Sequence, residues 1–355
     1  MLGPGSWLIF AVINSPTIKK VRFSIDKRYY RNIMLPDTSG NTQGTAAVLM
    51  STYNGEKYIG EQINSILSQL NPNDRLLVRD DGSTDQTVNI IFSFNDNRIK
   101  VTQGKNIGFA KSFFWLLCHA DNGHSVYMLA DQDDIWLPEK IARARSWLGA
   151  IRTPRLHCTR LQLVDRNLLP LGLSPALRTS PRFENAVCEN IATGCTIALN
   201  SAALDLVRQV PYMELVNRDI YYHDWWLYLI VSRFGEVKWD ARPSIMYRQH
   251  TENSVGMAAG VKRYWLIWKS VKSRSWIRLM LSQLRAFLSL YGRELSDADN
   301  RWMRSLCQGR AHRIAWALIT DKRLQRQQSL GLFLFRALVV YDFFRGNIDS
   351  NALDT

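Results

Sequence analysis

The chain has 355 residues, 46% of them hydrophobic and 12 of them Trp, which excludes a disordered chain and leaves room for one large α/β domain with an appended element, or for two domains. Its five cysteines, Cys118, Cys158, Cys188, Cys195 and Cys307, are scattered and form no CxxC pair; this argues against a disulfide framework or zinc ribbon and fits a reducing cytosol. The net charge is +14, and Gly256 to Thr355 holds 17 Lys and Arg against 7 Asp and Glu, a basic tail suited to anionic lipid or nucleic acid.

Residues 1–44 are expected to be a weakly ordered extension. Residues 36–44 (PDTSGNTQG) read as a linker, and Met34 is an alternative initiator. The N-terminus has neither the basic region nor the small-residue cleavage site of a signal peptide. The longest apolar stretches, residues 7–13 and 332–335 with 337–341, fall well short of the ~20 residues that a spanning helix needs.

From Thr45 the pattern changes. Residues 46–50 (AAVLM) read as a short strand ending in Ser51-Thr52-Tyr53-Asn54-Gly55, and residues 58–70 place Ile59, Ile63, Ile66, Leu67 and Leu70 at helical spacing. A strand over 75–79 ends in Asp80-Asp81-Gly82-Ser83, with a helix over 86–94 behind it. A third strand around 99–102 leads to Asn106-Ile107-Gly108 and another helix; a fourth, 126–130, ends in Asp131-Gln132-Asp133-Asp134. Strand, polar loop and helix in repetition predict a doubly wound sheet, whose ligands bind at the carboxyl ends of the strands. The unusual polar residues all fall there.

Three carboxylates within four positions, directly after a buried strand, repel one another unless a cation neutralises them. The chain has no GxGxxG and no GxxxxGK[ST] to hold phosphates. Mg²⁺ or Mn²⁺, which prefers oxygen ligands, would bridge such a cluster to a nucleotide diphosphate. The competing reading of the cluster is a solvated turn with a helix cap; that of Asp80-Asp81-Gly82-Ser83 is a plain strand-to-helix turn.

The segments VLMSTYNGEKYIGEQINSILSQ, VRDDGSTDQT, NIGFAKSF, LADQDDIWLPEKI, ATGCTIALN and HDWWLYLIVSRFGEVKWDARPSIMYRQHTENSVG, in that order over about residues 45–256, resemble the family 2 inverting glycosyltransferases of the GT-A fold. Within the family, DQDDIW with HDWW and YRQH is most similar to bacterial rhamnosyltransferases of surface polysaccharide (O-antigen or capsule) synthesis. The resemblance implies a GT-A catalytic domain over 45–256 and a basic, mainly helical extension over 257–355. It also implies a dTDP-rhamnose or UDP-sugar donor, a saccharide acceptor linked to polyprenyl diphosphate, and a bacterial cytoplasmic enzyme peripheral to the inner membrane face. The processive Gln-x-x-Arg-Trp signature is absent, which favours one sugar per encounter.

By the same resemblance Ser51 and Tyr53 border the nucleotide base, Asp80 or Asp81 accepts its imide N–H, and Gly82 lets the backbone pass close while Ser83 caps the next helix. Asn54, Asn106, Gly108, Lys111, Asp131 and Gln132 complete the donor site. Asp133 and His250 are the expected metal ligands, with Asp134 less defined. Asp224, opening a helix in His223-Asp224-Trp225-Trp226, is the expected base, and the two Trp rings pack beneath it or against sugar faces. The other reading of Asp224 is a carboxylate favoured by the helix dipole.

Two further classes stay open. A nucleotidyltransferase would want a glycine-rich loop with a basic residue near its N-terminus, and none is present; a non-catalytic sugar-nucleotide or glycan-binding module would not need both Asp133 and Asp224. The tail carries no zinc or RNA-binding aromatic motif, which argues against nucleic acid. Leu279, Leu281, Leu284, Phe287, Leu288 and Tyr291, with Arg278, Arg285 and Arg293 between them, read as an interfacial helix facing anionic lipid, or as a helix packed on the catalytic sheet.

Overall fold

The computed structural model describes residues 44–149, 151–249 and 276–348. The chain runs through β1 (Ala46–Thr52), α1 (Ile59–Leu67), β2 (Arg75–Asp80), α2 (Thr87–Ser93), β3 (Ile99–Gln103), α3 (Phe109–His119) and β4 (Val126–Ala130). A two-residue strand β5 (Ile135–Trp136) and α4 (Lys140–Leu148) follow, then β6 (Arg155–Thr159), β7 (Gln162–Val164), β8 (Pro170–Leu173) and the single turn α5 (Phe183–Ala186). Next come β9 (Ala198–Asn200), α6 (Ser201–Arg208), α7 (Tyr212–Val216), α8 (His223–Phe234), β10 (Glu236–Asp240) and β11 (Ile245–Arg248). Beyond them lie α9 (Trp276–Tyr291), α10 (Asp297–Cys307), α11 (Ala311–Thr320) and α12 (Ser329–Phe344).

The main sheet has seven strands in the order β10-β6-β9-β4-β1-β2-β3. β9 runs antiparallel to β4 and β6, and every other pairing is parallel. Alternate residues of β1 enter different cores: Ala47 and Leu49 join α3, α6 and α8, while Ala46, Val48 and Met50 join α1, α2 and α4. A strand covered on both faces needs apolar residues at every position, which is why residues 46–50 show no alternation. A second sheet, β5-β11-β7-β8, carries the segment just beyond the acidic cluster. The doubly wound, mixed sheet matches the expectation; β1 extends to Thr52, and α1 is shorter than residues 58–70.

The stripe on α9 corrects the lipid-facing reading. Leu281, Leu284, Phe287, Leu288 and Tyr291 are buried in the same core as α8. Trp276 stacks on Trp225 with centroids 5.4 Å apart, and Phe287 and Tyr291 pack on Trp226 at 6.3 and 6.1 Å. The cause lies in α8, which is apolar on nearly all sides: Trp225 through Val231 are all buried. Such a helix must be covered on both sides, and α9 covers the side away from the sheet. Among the described residues no helix is long and apolar enough to cross a membrane.

Candidate active site

The loops after β1, β2, β3 and β4 lie side by side because their strands do, and they are stitched together by their own polar side chains. Ser51 Oγ donates to Ser112 Oγ at 2.6 Å. Gln132 clasps the next loop: its Oε1 accepts from Tyr53 N at 2.8 Å and its Nε2 donates to Tyr53 O at 3.0 Å, leaving the Tyr53 side chain half exposed. Asn54, in the left-handed region at φ 47°, accepts from Thr84 N at 2.9 Å.

Asp80 and Asp81 are buried beneath these loops. Asp80 accepts from Thr52 Oγ1, Gly82 N, Ser83 N and Ser83 Oγ at 3.1, 3.2, 3.0 and 2.5 Å. Asp81 pairs with Arg79 at 2.5 Å and accepts from Ile107 N and Gly108 N, each at 2.9 Å. Both carboxylates therefore shape the loops that border the site. Ser83 caps no helix, since its hydroxyl is turned back to Asp80 and the cap residue of α2 is Gln86. Gly82 has φ +86°, and a Cβ there would meet Asn106 N at 3.1 Å, so a glycine lets the β2 and β3 loops touch. Asn106, Gly108 and Lys111 are exposed on the loop before α3 and on its first turn.

The acidic cluster closes the end of β4. The carboxylates of Asp131 and Asp134 and the thiol of Cys195 all lie within 4.8 Å of one another. Cys195 arrives because β9 runs antiparallel beside β4 (Leu129 N donates to Ile197 O at 2.9 Å), so the 3-10 turn Gly194–Thr196 lands against Asp131. Burial first, then the neighbouring carboxylates, raise Asp131 to about 7 and hold Asp134 well above the usual carboxylate range. Asp134 Oδ2 is buried with no hydrogen-bond partner. Hard oxygen donors crowded together, one of them unsatisfied, fit a divalent cation of the Mg²⁺ or Mn²⁺ kind. Burial and the adjacent carboxylates keep the Cys195 thiol protonated, a poor ligand for such an ion.

The expected metal residues fare differently. Asp133 is half-buried next to the cluster, and its charge raises both neighbours, but its carboxylate is not part of the converging set. The set that converges here is Asp131 with Asp134 and Cys195, because the turn into β5 carries Asp134 inward, and Asp133 lies beside it. His250 lies outside the described residues.

Two basic residues hold this turn, and neither stood out in the sequence. Arg248, buried on β11, donates from N to Asp134 Oδ1 at 3.2 Å and from Nε to Asp133 O at 2.9 Å. Its Nη2 reaches Glu61 Oε2 at 2.5 Å, and its guanidinium lies 4.4 Å from the Tyr58 ring centroid. Lys140, buried at the start of α4, donates to Cys195 O and Ser244 Oγ, both at 3.3 Å. Burial depresses its ammonium to about 8, against the pull of Asp134. The only available signal for either was a basic residue on an otherwise inward-facing position, within LPEK and YRQH.

Asp224 opens α8, as expected, and its Oδ1 accepts from Trp225 N at 2.7 Å. Burial raises it to about 6, with backbone hydrogen bonds opposing, and its charge is felt at Asp131. The turn Gly194–Thr196 links the two carboxylate sites: a Cβ on Gly194 would lie 3.7 Å from Asp224 Cβ, and the next residue, Cys195, sits with Asp131 and Asp134. Trp225 and Trp226 are buried in the core below Asp224, with Trp225 Nε1 donating to Ala186 O at 2.6 Å, so of the two expected placements they take the one beneath the carboxylate.

The sequence matches the family model described as Glycosyl transferase family 2 over residues 47–152. Over 219 residues it is 30% identical to the dTDP-rhamnosyl transferase RfbG of Shigella flexneri, covering 58% of this chain and 73% of that protein. It is 34% identical over 179 residues to the UDP-Glc:alpha-D-GlcNAc-diphosphoundecaprenol beta-1,3-glucosyltransferase WfgD of Escherichia coli, covering 50% of this chain and 66% of that protein. The fold is similar to a crystal structure of S. aureus TarS in complex with UDP, with a TM-score of 0.50 and 16% identity over 86% of this chain and 90% of that one.

Proposed function

Because the chain belongs to glycosyl transferase family 2, we propose that it transfers a single L-rhamnose from dTDP-L-rhamnose, with inversion, to a saccharide acceptor carried on polyprenyl diphosphate. The chain is a glycosyltransferase of GT-A architecture that uses a nucleotide-sugar donor. Rhamnose is supported by the RfbG resemblance, and a lipid-linked acceptor by the WfgD resemblance. The observation that carries the mechanism is the turn Gly194–Thr196, which sets Cys195 with the carboxylates of Asp131 and Asp134 while a Cβ on Gly194 would lie 3.7 Å from Asp224 Cβ.

In this reading Asp224 is ionised at neutral pH and takes the proton of the acceptor hydroxyl as that oxygen attacks the anomeric carbon. Inversion requires the base and the departing diphosphate to lie on opposite faces of the sugar. The carboxylates of Asp131 and Asp134, with Asp133 beside them, would hold a divalent cation, which neutralises charge on the leaving diphosphate when bound. Ser51, Tyr53 and the loops shaped by Asp80 and Asp81 would border the nucleotide. Residues 45–256 would form the catalytic domain and 257–355 its basic helical extension.

A peripheral seat on the inner face of the cytoplasmic membrane belongs to the same reading. Its support moves from α9 to α12, where Leu330, Phe333, Leu334, Val340, Tyr341 and Phe344 are exposed. At about 100° per residue these six fall on one side of the helix, in two groups separated by the turn 335–339, and residues 276–348 carry 12 Lys and Arg against 5 Asp and Glu.

A thermal-shift screen of dTDP-rhamnose, UDP-sugars and GDP-mannose, with and without Mn²⁺, tests the donor. Stabilisation by a UDP-hexose alone would replace rhamnose with that sugar. Donor hydrolysis by purified protein with Mg²⁺ or Mn²⁺ separates an enzyme from a non-catalytic binding module.

A further inference from the structure

The helical extension holds a cavity that the catalytic reading does not use. It has a volume of about 320 Å³ and lies where the end of α9 meets α10. Its lining includes Arg285, Ser289 and Arg293 from α9 and the turn after it, and Asn300, Arg304 and Gln308 from α10 and its cap. The cavity is remote from the proposed base. α9 begins with Trp276 stacked on Trp225, next to Asp224, and ends with Tyr291 against Phe234, at the other end of α8. The helix between these two contacts has 16 residues, a length of roughly 24 Å.

The hydrogen bonds around the cavity say what it can hold. Its acceptors are already engaged: Ser289 Oγ accepts from Arg218 Nη1 at 2.9 Å, Asn300 Oδ1 from Arg304 Nε at 2.6 Å, and Gln308 Oε1 from Arg304 Nη1 at 2.9 Å. The carbonyls of Gly292 and Cys307 accept from Asn300 Nδ2 at 2.5 Å and from Arg285 Nε at 2.8 Å. The lining is thus left with donors, namely the outer nitrogen of Arg304, the Arg293 guanidinium, the Gln308 amide N–H and the Ser289 hydroxyl. Three of the lining side chains are guanidiniums, and among the described residues no carboxylate lines the cavity. Positive charge with spare donors and engaged acceptors suits a compact oxyanion, and the planar guanidinium matches the spacing of phosphate oxygens. We propose that this cavity binds a phosphate or diphosphate group, free or on the head of a membrane lipid, separately from the nucleotide-sugar donor.

The test uses inorganic phosphate and inorganic diphosphate as probes. Calorimetry without added divalent metal, which keeps diphosphate off the acidic cluster, titrates each into wild type and into a variant carrying Arg293→Gln with Arg304→Gln. Wild type should bind at least one of them, and the double variant should lose roughly tenfold or more in affinity, since bonds to charged groups are the strong ones. Arg293→Gln alone, at an exposed side chain outside any helix, should show part of that loss. Donor binding in Mn²⁺ should stay at the wild-type value in both variants. No binding of either anion by wild type, or equal binding by wild type and the double variant, would make the cavity a solvated arginine cluster and overturn the proposal. Should the double variant melt several degrees lower, the single variant decides, and unchanged affinity there overturns the proposal as well. Flotation with phosphatidylcholine vesicles bearing phosphatidic acid then identifies the source of the phosphate. Recovery lowered in the double variant assigns it to a lipid head; recovery unchanged or absent assigns it to a free anion.

Discussion

At the scale of single residues, the site is defined by carboxylates held where water would normally not leave them. Asp224 has a folded pKa of about 6 against 3.8 for the ordinary group, so the fold favours its protonated form. The stability cost of the ionised form is absent below the unfolded value and complete above about 6, where it is on the order of 3 kcal/mol. Asp224→Asn is thus expected to lose transfer while binding nucleotide sugar near wild type, and to unfold at higher urea than wild type at pH 8 but not at pH 4. More than a few per cent residual transfer would remove Asp224 as the base. In wild type, kcat should fall as pH drops through about 6, since the base must be ionised. Arg248 makes a second case: Arg248→Lys keeps the charge but loses the fork that reaches Asp133 O and Glu61 together. Destabilisation of about 2 kcal/mol in urea is expected, together with weaker metal-dependent donor binding; unchanged calorimetry in Mn²⁺ and in chelator would show that the turn does not need its clamp.

At the scale of elements, two contacts decide whether the site forms. The first is the 3-10 turn Gly194–Thr196 against the start of α8. Gly194→Ala places its Cβ against His223 Nε2 at 2.9 Å, so either the ring or the turn must shift. A fall in kcat of tenfold or more is expected, with a change in melting temperature of only a few degrees; full activity would mean that the ring moves without disturbing Asp224. The second contact is α9 on α8. Phe287 is fully buried between Phe183, Trp226, Phe234 and Tyr291. Phe287→Ala should cost about 3–5 kcal/mol in urea unfolding, and the transition should remain single if the C-terminal helices and the sheet fold as one unit. Two separated transitions would show instead that they fold apart.

At the scale of the whole molecule, charge and apolar exposure point to one side of the chain, its last hundred residues. Tyr341 on α12 is flanked by Arg345, which bonds its hydroxyl at 2.8 Å and lies 5.6 Å from its ring centroid. An aromatic ring with a cationic partner suits the boundary between headgroups and acyl chains. Flotation should therefore recover the protein with anionic vesicles and release it in 1 M salt, where the Debye length is about 3 Å. Replacing Phe333 and Phe344 with Ser should abolish the recovery without lowering donor binding. Equal recovery on neutral and anionic vesicles, or none on either, would leave α12 as ordinary exposed structure.

The sequence by itself determined the strands, their order of polar loops and the chemistry of the strand ends, because these depend on local pattern. Apolar runs as short as residues 46–50 bury both faces, and polar residues directly after them have nowhere to go but the edge of the sheet. Local pattern placed Asp224 at the start of an apolar helix, and only the family resemblance of the HDWW segment singled it out as a base. Tertiary structure alone decided which of three neighbouring carboxylates converge, since that depends on the turn into β5 and on Cys195 arriving from an antiparallel strand distant in sequence. It alone turned Asp80, Asp81 and Gln132 into ties between loops, and it alone placed the α9 stripe in the core while leaving that of α12 exposed. A helical stripe states only that one face is apolar; what covers that face is set by the neighbours the fold brings to it.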